Sequence, residues 1–135
     1  MKNRFPSSGT LARARAALAL ILLAGAGLPA SAAGDAKAGA KVFSAECSEC
    51  HSVKEGRNKK GPSLFATLGR KAASLQDATY SDALRQTGWV WNEETLRRYL
   101  SKPAKEANPG GKMKYDGLQD AQALEDLLAY LGTVR

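Results

Sequence analysis

Sulfur and imidazole are nearly absent from this chain. Its 135 residues include two cysteines, one histidine and, beyond Met1, a single methionine. Aromatic residues are also scarce, at 7%. A structural zinc site wants four Cys or His ligands, and only three such residues exist, crowded into five positions. No strand–helix–strand pattern is visible, which removes the setting of a thioredoxin-like redox pair. No alternating strand is convincing anywhere, so the expected fold class is all-α. Internal repeats, linkers and low-complexity tracts are missing beyond the first quarter of the chain. No apolar run approaches the roughly 20 residues a retained membrane span requires.

What remains is concentrated. Both cysteines and the histidine fall in Cys47-Ser48-Glu49-Cys50-His51. Cys-x-x-Cys-His is the c-type haem attachment pattern. Two thiols three residues apart on a helical turn can each add to a porphyrin vinyl group. The histidine that follows is then held against one face of the ring, where its imidazole can bind iron. A plain disulfide would leave His51 without a role. The second axial ligand is expected to be Met113, since a soft thioether favours Fe(II) and raises the potential. A core methionine is the alternative, but Pro109-Gly110-Gly111-Lys112-Met113 is a loop by composition, not an apolar helix face.

The first quarter of the chain resembles an export signal. Lys2, Arg4, Arg13 and Arg15 supply a basic region without an acid. An apolar run of 13 residues, Ala16 to Leu28, comes next, then a small-residue cleavage site at Pro29-Ala30-Ser31-Ala32. Residues 1–32 are therefore expected to be a secretory signal peptide cut after Ala32, with the bacterial periplasm as destination. The whole chain carries a formal charge of +7, with 20 bases and 13 acids. Without the leader's four bases, sixteen face thirteen acids and the net charge is +3. A nucleic-acid binder read from the whole-chain charge would be an artefact of the leader. Residues 33–135 make one domain, small for a self-sufficient core, and a buried porphyrin would supply missing apolar surface.

Helix signals frame this domain. Asp35 is a good N-cap for a first helix running toward Glu46, with Gly39 and Phe43 on one face. Asp120 should open the last helix, whose Leu124, Leu128 and Leu131 recur at helical spacing beside Leu127, with Gly132 able to stop it. A glycine notch at Gly39 can accept Leu127 or Tyr130. Asn92 can cap a helix led by Glu93 and Glu94, with Leu96, Tyr99 and Leu100 as its buried stripe and Pro103 as its end. Ser81 can cap a short turn from Asp82 to Gln86 closed by Gly88, and Leu64 to Leu68 reads as another turn before Gly69. Lys54 to Gly61 and Lys102 to Asp116 are loops by composition.

From Gly34 to the C-terminus the chain resembles class I cytochrome c, the bacterial branch close to the mitochondrial carrier. The landmarks run in order: Gly39 and Phe43, Cys47 to His51, Gly61-Pro62-Ser63-Leu64, Gly69-Arg70-Lys71, Tyr80-Ser81-Asp82-Ala83, Trp91, Glu94-Thr95-Leu96, Tyr99-Leu100, Pro109 to Met113 and Tyr130-Leu131. The resemblance implies one haem c bound covalently through Cys47 and Cys50, with His51 and Met113 as iron ligands. It implies that the Pro62 carbonyl accepts the other ring N–H of His51 and that the Tyr99 hydroxyl lies near the methionine sulfur. Arg70, Tyr80 and Trp91 are implied partners of the haem propionates. Gly39, Phe43, Leu127 and Tyr130 match a crossing of the terminal helices. Gly111 departs from a usual threonine, Leu84 from an asparagine, Ala72 from a threonine, Glu46 from a lysine and Tyr115 from a phenylalanine.

The implied function is that of a soluble electron shuttle between a membrane cytochrome complex or dehydrogenase and an oxidase, reductase or photosynthetic centre. Such a protein makes no bonds and is not an enzyme. The alternative is a haem enzyme or gas-binding protein with a displaceable Met113. Arg57, Lys59, Lys60, Lys102, Lys105, Lys112 and Lys114 fall in the two loops expected to flank the haem edge, while Asp116, Asp120, Glu125 and Asp126 cluster around the last helix. The expected partners are redox proteins with acidic docking faces, met by a monomer without nucleic acid or stable membrane insertion. Mass spectrometry of the exported protein should give the chain plus one haem, retained through acid–acetone, with Ala33 or Gly34 first. An apoprotein starting at Met1, in a host that matures c-type cytochromes, would contradict both expectations.

Overall fold

The computed structural model describes residues 33–135; the expected leader lies outside them. Five α-helices follow in order: α1 Ala36–Val42, α2 Asp82–Gln86, α3 Glu93–Leu100, α4 Ala104–Ala107 and α5 Ala121–Thr133. A widened π turn, Phe43–Cys47, continues directly from α1. There are no strands among the described residues, only one isolated antiparallel bridge between Lys71 and Val90. None of the helices is long and apolar enough to cross a membrane.

Capping follows the side-chain chemistry. Asp35 accepts from the backbone N–H groups of Lys37 (2.7 Å) and Ala38 (2.9 Å), which the first turn of α1 would otherwise leave unpaired. Ser81, Asn92 and Asp120 do the same for α2, α3 and α5. Three boundaries differ from the sequence reading. The first helix does not run evenly to Glu46: after Val42 it widens, and the Ser48 N–H reaches the Phe43 carbonyl at 2.9 Å. Gly132 does not end α5, which continues to Thr133. Its last carbonyls are taken locally, Tyr130 by the Thr133 hydroxyl and Gly132 by Arg135. Pro103 comes after α3 has ended and opens α4, inside a stretch read as loop. Its fixed φ suits entry to a helix, and Ala-Lys-Glu-Ala are good helix formers.

α1 and α5 meet backbone to backbone. A Cβ built on Gly39 would lie 1.8 Å from the Asp126 carbonyl oxygen, and one on Gly34 would lie 2.0 Å from that of Glu125. The Asp35 N–H donates to the Asp126 carboxylate at 2.8 Å, locking the start of α1 to the middle of α5. That bond, with the Gln122 amide, holds the Asp126 carboxyl below its ordinary range. Its contribution is present above the unfolded carboxyl pKa and is lost as pH falls through the lower folded value. Phe43 and Tyr130 pack across the crossing as a tilted pair with centroids 5.7 Å apart, and Leu127 is 1% exposed. α3 joins through Leu96, Tyr99 and Leu100, and through a bidentate Arg97–Glu125 pair at 2.7 and 2.8 Å. Being partly exposed, that pair contributes about 1 kcal/mol or less.

Gly39→Ala separates two opposing effects. Helix propensity alone would stabilise by about 1 kcal/mol. The added methyl, however, meets a backbone carbonyl that cannot rotate away, and overpacking of this kind costs about 1–3 kcal/mol or more. The clash should win. The variant should melt at least about 5 °C lower in a circular-dichroism thermal scan.

Candidate functional site

A cavity of about 450 Å³ opens between the Cys47–His51 turn and the loop from Asn108 to Tyr115. Its wall includes Cys47, Cys50, His51, Pro62, Tyr80, Tyr99 and Met113. The π turn delivers the first of these. By adding a residue to the turn it re-aims the chain before Cys47, whose carbonyl then receives the N–H groups of Cys50 (3.1 Å) and His51 (2.9 Å). Both thiols are free and half-buried. Burial, with the nearby charges of Glu46 and Cys50, pushes the Cys47 thiol up to about 11.

His51 is fixed in orientation and tautomer. Its Nδ1 lies 2.8 Å from the Pro62 carbonyl oxygen. A carbonyl can only accept, so Nδ1 carries the proton and Nε2 keeps a lone pair suited to a metal. Burial holds the ring's pKa below the ordinary histidine value, against the opposite pull of that hydrogen bond. Gly61 packs against the ring face: a Cβ there would stand 2.4 Å from Cε1 and 3.0 Å from Nε2. Gly61 is tied in turn to the haem-motif turn by its N–H on the Cys50 carbonyl, at 2.8 Å.

Met113 comes to the cavity on an irregular loop. Gly110 takes φ +81, and its α-carbon passes so close to α2 that a Cβ would be 3.2 Å from that of Ala83. Tyr99 projects from α3 and is buried; its ring packs on Trp91 (5.3 Å) and Trp89 (6.0 Å). Desolvation raises the pKa of Tyr99 and of Tyr80. Tyr115 also lines the cavity, with a buried hydroxyl that has no partner, and burial beside Glu46 pushes it up to about 12.

Two of the nine residues singled out from sequence are not on this wall. Arg70 donates to the carbonyls of Phe65 (2.7 Å) and Ser63 (2.8 Å) and to the Thr67 hydroxyl (3.1 Å). It clamps this loop with three of its five N–H donors. Trp91 sits in the aromatic cluster behind Tyr99 and pairs its backbone with Arg70 and Gly69. Sequence reading missed Asn108, which is 5% exposed and lines the cavity. An Asn before Pro-Gly-Gly reads as an exposed turn residue, and nothing local signals its burial.

A family model described as cytochrome c matches residues 36–135. The chain belongs to the cytochrome c family. It is 46% identical over 101 residues to a cytochrome c of Gibberella zeae, covering 74% of this chain and 94% of that protein. A cytochrome c of Arabidopsis thaliana is 42% identical over 99 residues, 73% of this chain and 88% of its own. The cytochrome c2 of Blastochloris viridis is 42% identical over 113 residues, covering 83% and 87% respectively. The class I, all-α architecture expected from sequence is thus the one found. Membership makes the protein an electron carrier with one covalent haem c, and Cys47 and Cys50 are its only thiols. The cavity fits that group. It offers two thiols, an imidazole with a free lone pair, a thioether and a buried amide donor on Asn108 that lacks an acceptor.

Proposed function

We propose that this cytochrome is a soluble periplasmic one-electron shuttle, exported by residues 1–32 and working as a monomer. It takes an electron from a membrane cytochrome complex or dehydrogenase and gives it to an oxidase, reductase or photosynthetic centre. It catalyses no bond-making reaction. The observation that carries this reading is the convergence of His51, with its Nε2 free, and Met113 on one cavity that also holds both thiols. Cys47 and Cys50 would hold the haem covalently, and His51 and Met113 would ligate its iron. When bound, the haem supplies Fe(III)/Fe(II) cycling. The protein's part is to fix the ligands and keep water out. The Pro62 carbonyl orients His51, and Gly61 leaves room for the ring. Tyr99 and Tyr80 furnish phenol groups on the wall, and the Arg85 guanidinium lies over the Tyr80 ring.

The charge distribution supports docking by the cavity mouth. Lys60, Lys112 and Lys114 line that mouth. Arg57, Lys59 and Lys102 are exposed in the same two loop regions, and Lys105 is exposed on α4. Lys60 pairs with Glu49 at 2.5 Å, which offsets one charge of the first loop. The acids of α5 are used differently: Asp120 caps it, Glu125 pairs with Arg97 and Asp126 holds Asp35. Electron-transfer interfaces are small, below about 1,200 Å² in total, so steering charge weighs more than buried area.

Met113→Ala should abolish the methionine–iron charge-transfer band and lower the reduction potential at neutral pH, because the ferrous state loses its soft ligand. Survival of both would remove Met113 from the iron and favour a haem with a different or open sixth position.

The rate with the physiological acceptor should fall as ionic strength rises, since screening shortens the field to about 8 Å at 0.15 M. Charge reversal at Lys112, with the methionine–iron band intact, should slow that reaction more than reversal at Arg135. A rate indifferent to salt would point instead to apolar contact through Tyr115.

A further inference from the structure

Two buried polar groups on the cavity wall lack a partner; the Tyr115 hydroxyl lies beside Glu46, whereas Asn108 has no charged neighbour to account for it. Asn108 sits just past α4, its N–H on the Ala104 carbonyl (2.9 Å) and its own carbonyl receiving the Gly111 N–H (2.9 Å). Its backbone is therefore satisfied, and its side chain is free to turn inward. The carboxamide is buried, yet Nδ2 has no hydrogen-bond partner. A buried amide donor left unpaired costs about 1–3 kcal/mol, so a position of this kind is expected to have an acceptor supplied from elsewhere.

The loop is shaped around this side chain. A Cβ on Gly111 would stand 3.0 Å from Nδ2, 3.5 Å from Cγ and 2.9 Å from the Asn108 carbonyl oxygen. Only glycine lets the carboxamide lie flat against the loop and reach the cavity. Gly110, at φ +81, carries the chain past α2 just before Gly111. The segment Asn108–Gly111 thus holds one donor at the cavity wall, on the same chain stretch that brings in Met113.

The strong acceptors that a bound haem offers are its propionate carboxylates. We infer that Asn108 is a positioning residue that donates from Nδ2 to a haem propionate, neutralising part of its charge inside the cavity. This rests on the haem-binding reading given above. A charge-assisted bond of this kind is short and about twice as strong as a neutral one. It would hold the distal loop to the porphyrin by a contact independent of the Met113 thioether. The Met113 sulfur is the other acceptor nearby, but a thioether is a weak one and leaves the desolvation of an amide poorly offset.

The test is the pH profile of the reduction potential in the holoprotein, comparing wild type with Asn108→Leu, similar in volume without the donor. The other titratable groups on the cavity wall, Glu46, His51, Lys60, Lys112 and Lys114, with the phenols of Tyr80, Tyr99 and Tyr115, are common to both proteins. The difference between profiles therefore isolates the group that Asn108 touches. Loss of the donor should leave the propionate more basic by about one pKa unit, a tenfold change in proton affinity. The pH at which the potential begins to fall should move up by that amount, so the potential at a fixed pH within the fall should rise. Asn108→Gln, which keeps a donor, should recover part of both shifts. If Asn108→Leu does not fold, Asn108→Ser provides the comparison, its hydroxyl too short to reach, with the same upward shift expected.

Three results would overturn the inference. A lower melting temperature with an unmoved pH profile would make Asn108 purely structural. A displaced methionine–iron band with an unmoved profile would assign the donor to Met113. An unchanged protein by every measure would assign it to solvent. None of these bears on whether Met113 binds iron, which is read from the wild-type band alone.

Discussion

The close approach of α1 and α5 is the constraint on which the other parts depend. Two glycines let helix backbone meet helix backbone, at Gly34 with Glu125 and at Gly39 with Asp126. Because no side chain intervenes, the crossing has little freedom to slide. Asp35 then fixes its register through Asp126, and Phe43 with Tyr130 closes its far side. The Cys-x-x-Cys-His turn is the direct continuation of α1. Its position in space is thereby inherited from α5, nearly eighty residues away in sequence.

Around that crossing the chain is economical with regular structure. The long stretch from Ser52 to Tyr80 holds no helix, and its shape comes from polar side chains bonded to backbone. Ser63 and Thr67 are buried at 2% exposure and Arg70 gathers the carbonyls around them, so the loop is built like a small core of hydrogen bonds. This arrangement places the Pro62 carbonyl where it can hold His51. Rigidity at the imidazole is therefore supplied from a loop by many short polar contacts, while rigidity at the thiols is supplied from a helix crossing.

Much of the fold could be read locally because caps are local. Asp35, Ser81, Asn92 and Asp120 each bond to a backbone N–H two or three residues on, so the residues that decide those helix starts are neighbours in sequence. Helix ends were less legible. Gly132 reads as a stop, but it lacks positive φ and leaves room beside Leu68, so packing decides its conformation. Pro103 reads as a terminator for the helix before it and acts as the opening of the one after it. The π turn at Phe43–Cys47 leaves no periodic mark at all, because one widened turn is too short to shift a hydrophobic pattern.

The amino-acid sequence by itself determined the chemistry of this cytochrome. With two cysteines, one histidine and one methionine beyond Met1, no other residues compete for the haem, and their spacing is a covalent fact that folding does not alter. Tertiary structure alone decided which polar side chains face the cavity. Arg70 commits three of its five N–H donors to a loop off the cavity wall, while Asn108 looks like a turn residue and is buried with an unmet donor. The difference lies in where a hydrogen-bonding group finds its partner. That depends on which distant segments fold beside it, and sequence spacing does not encode such proximity.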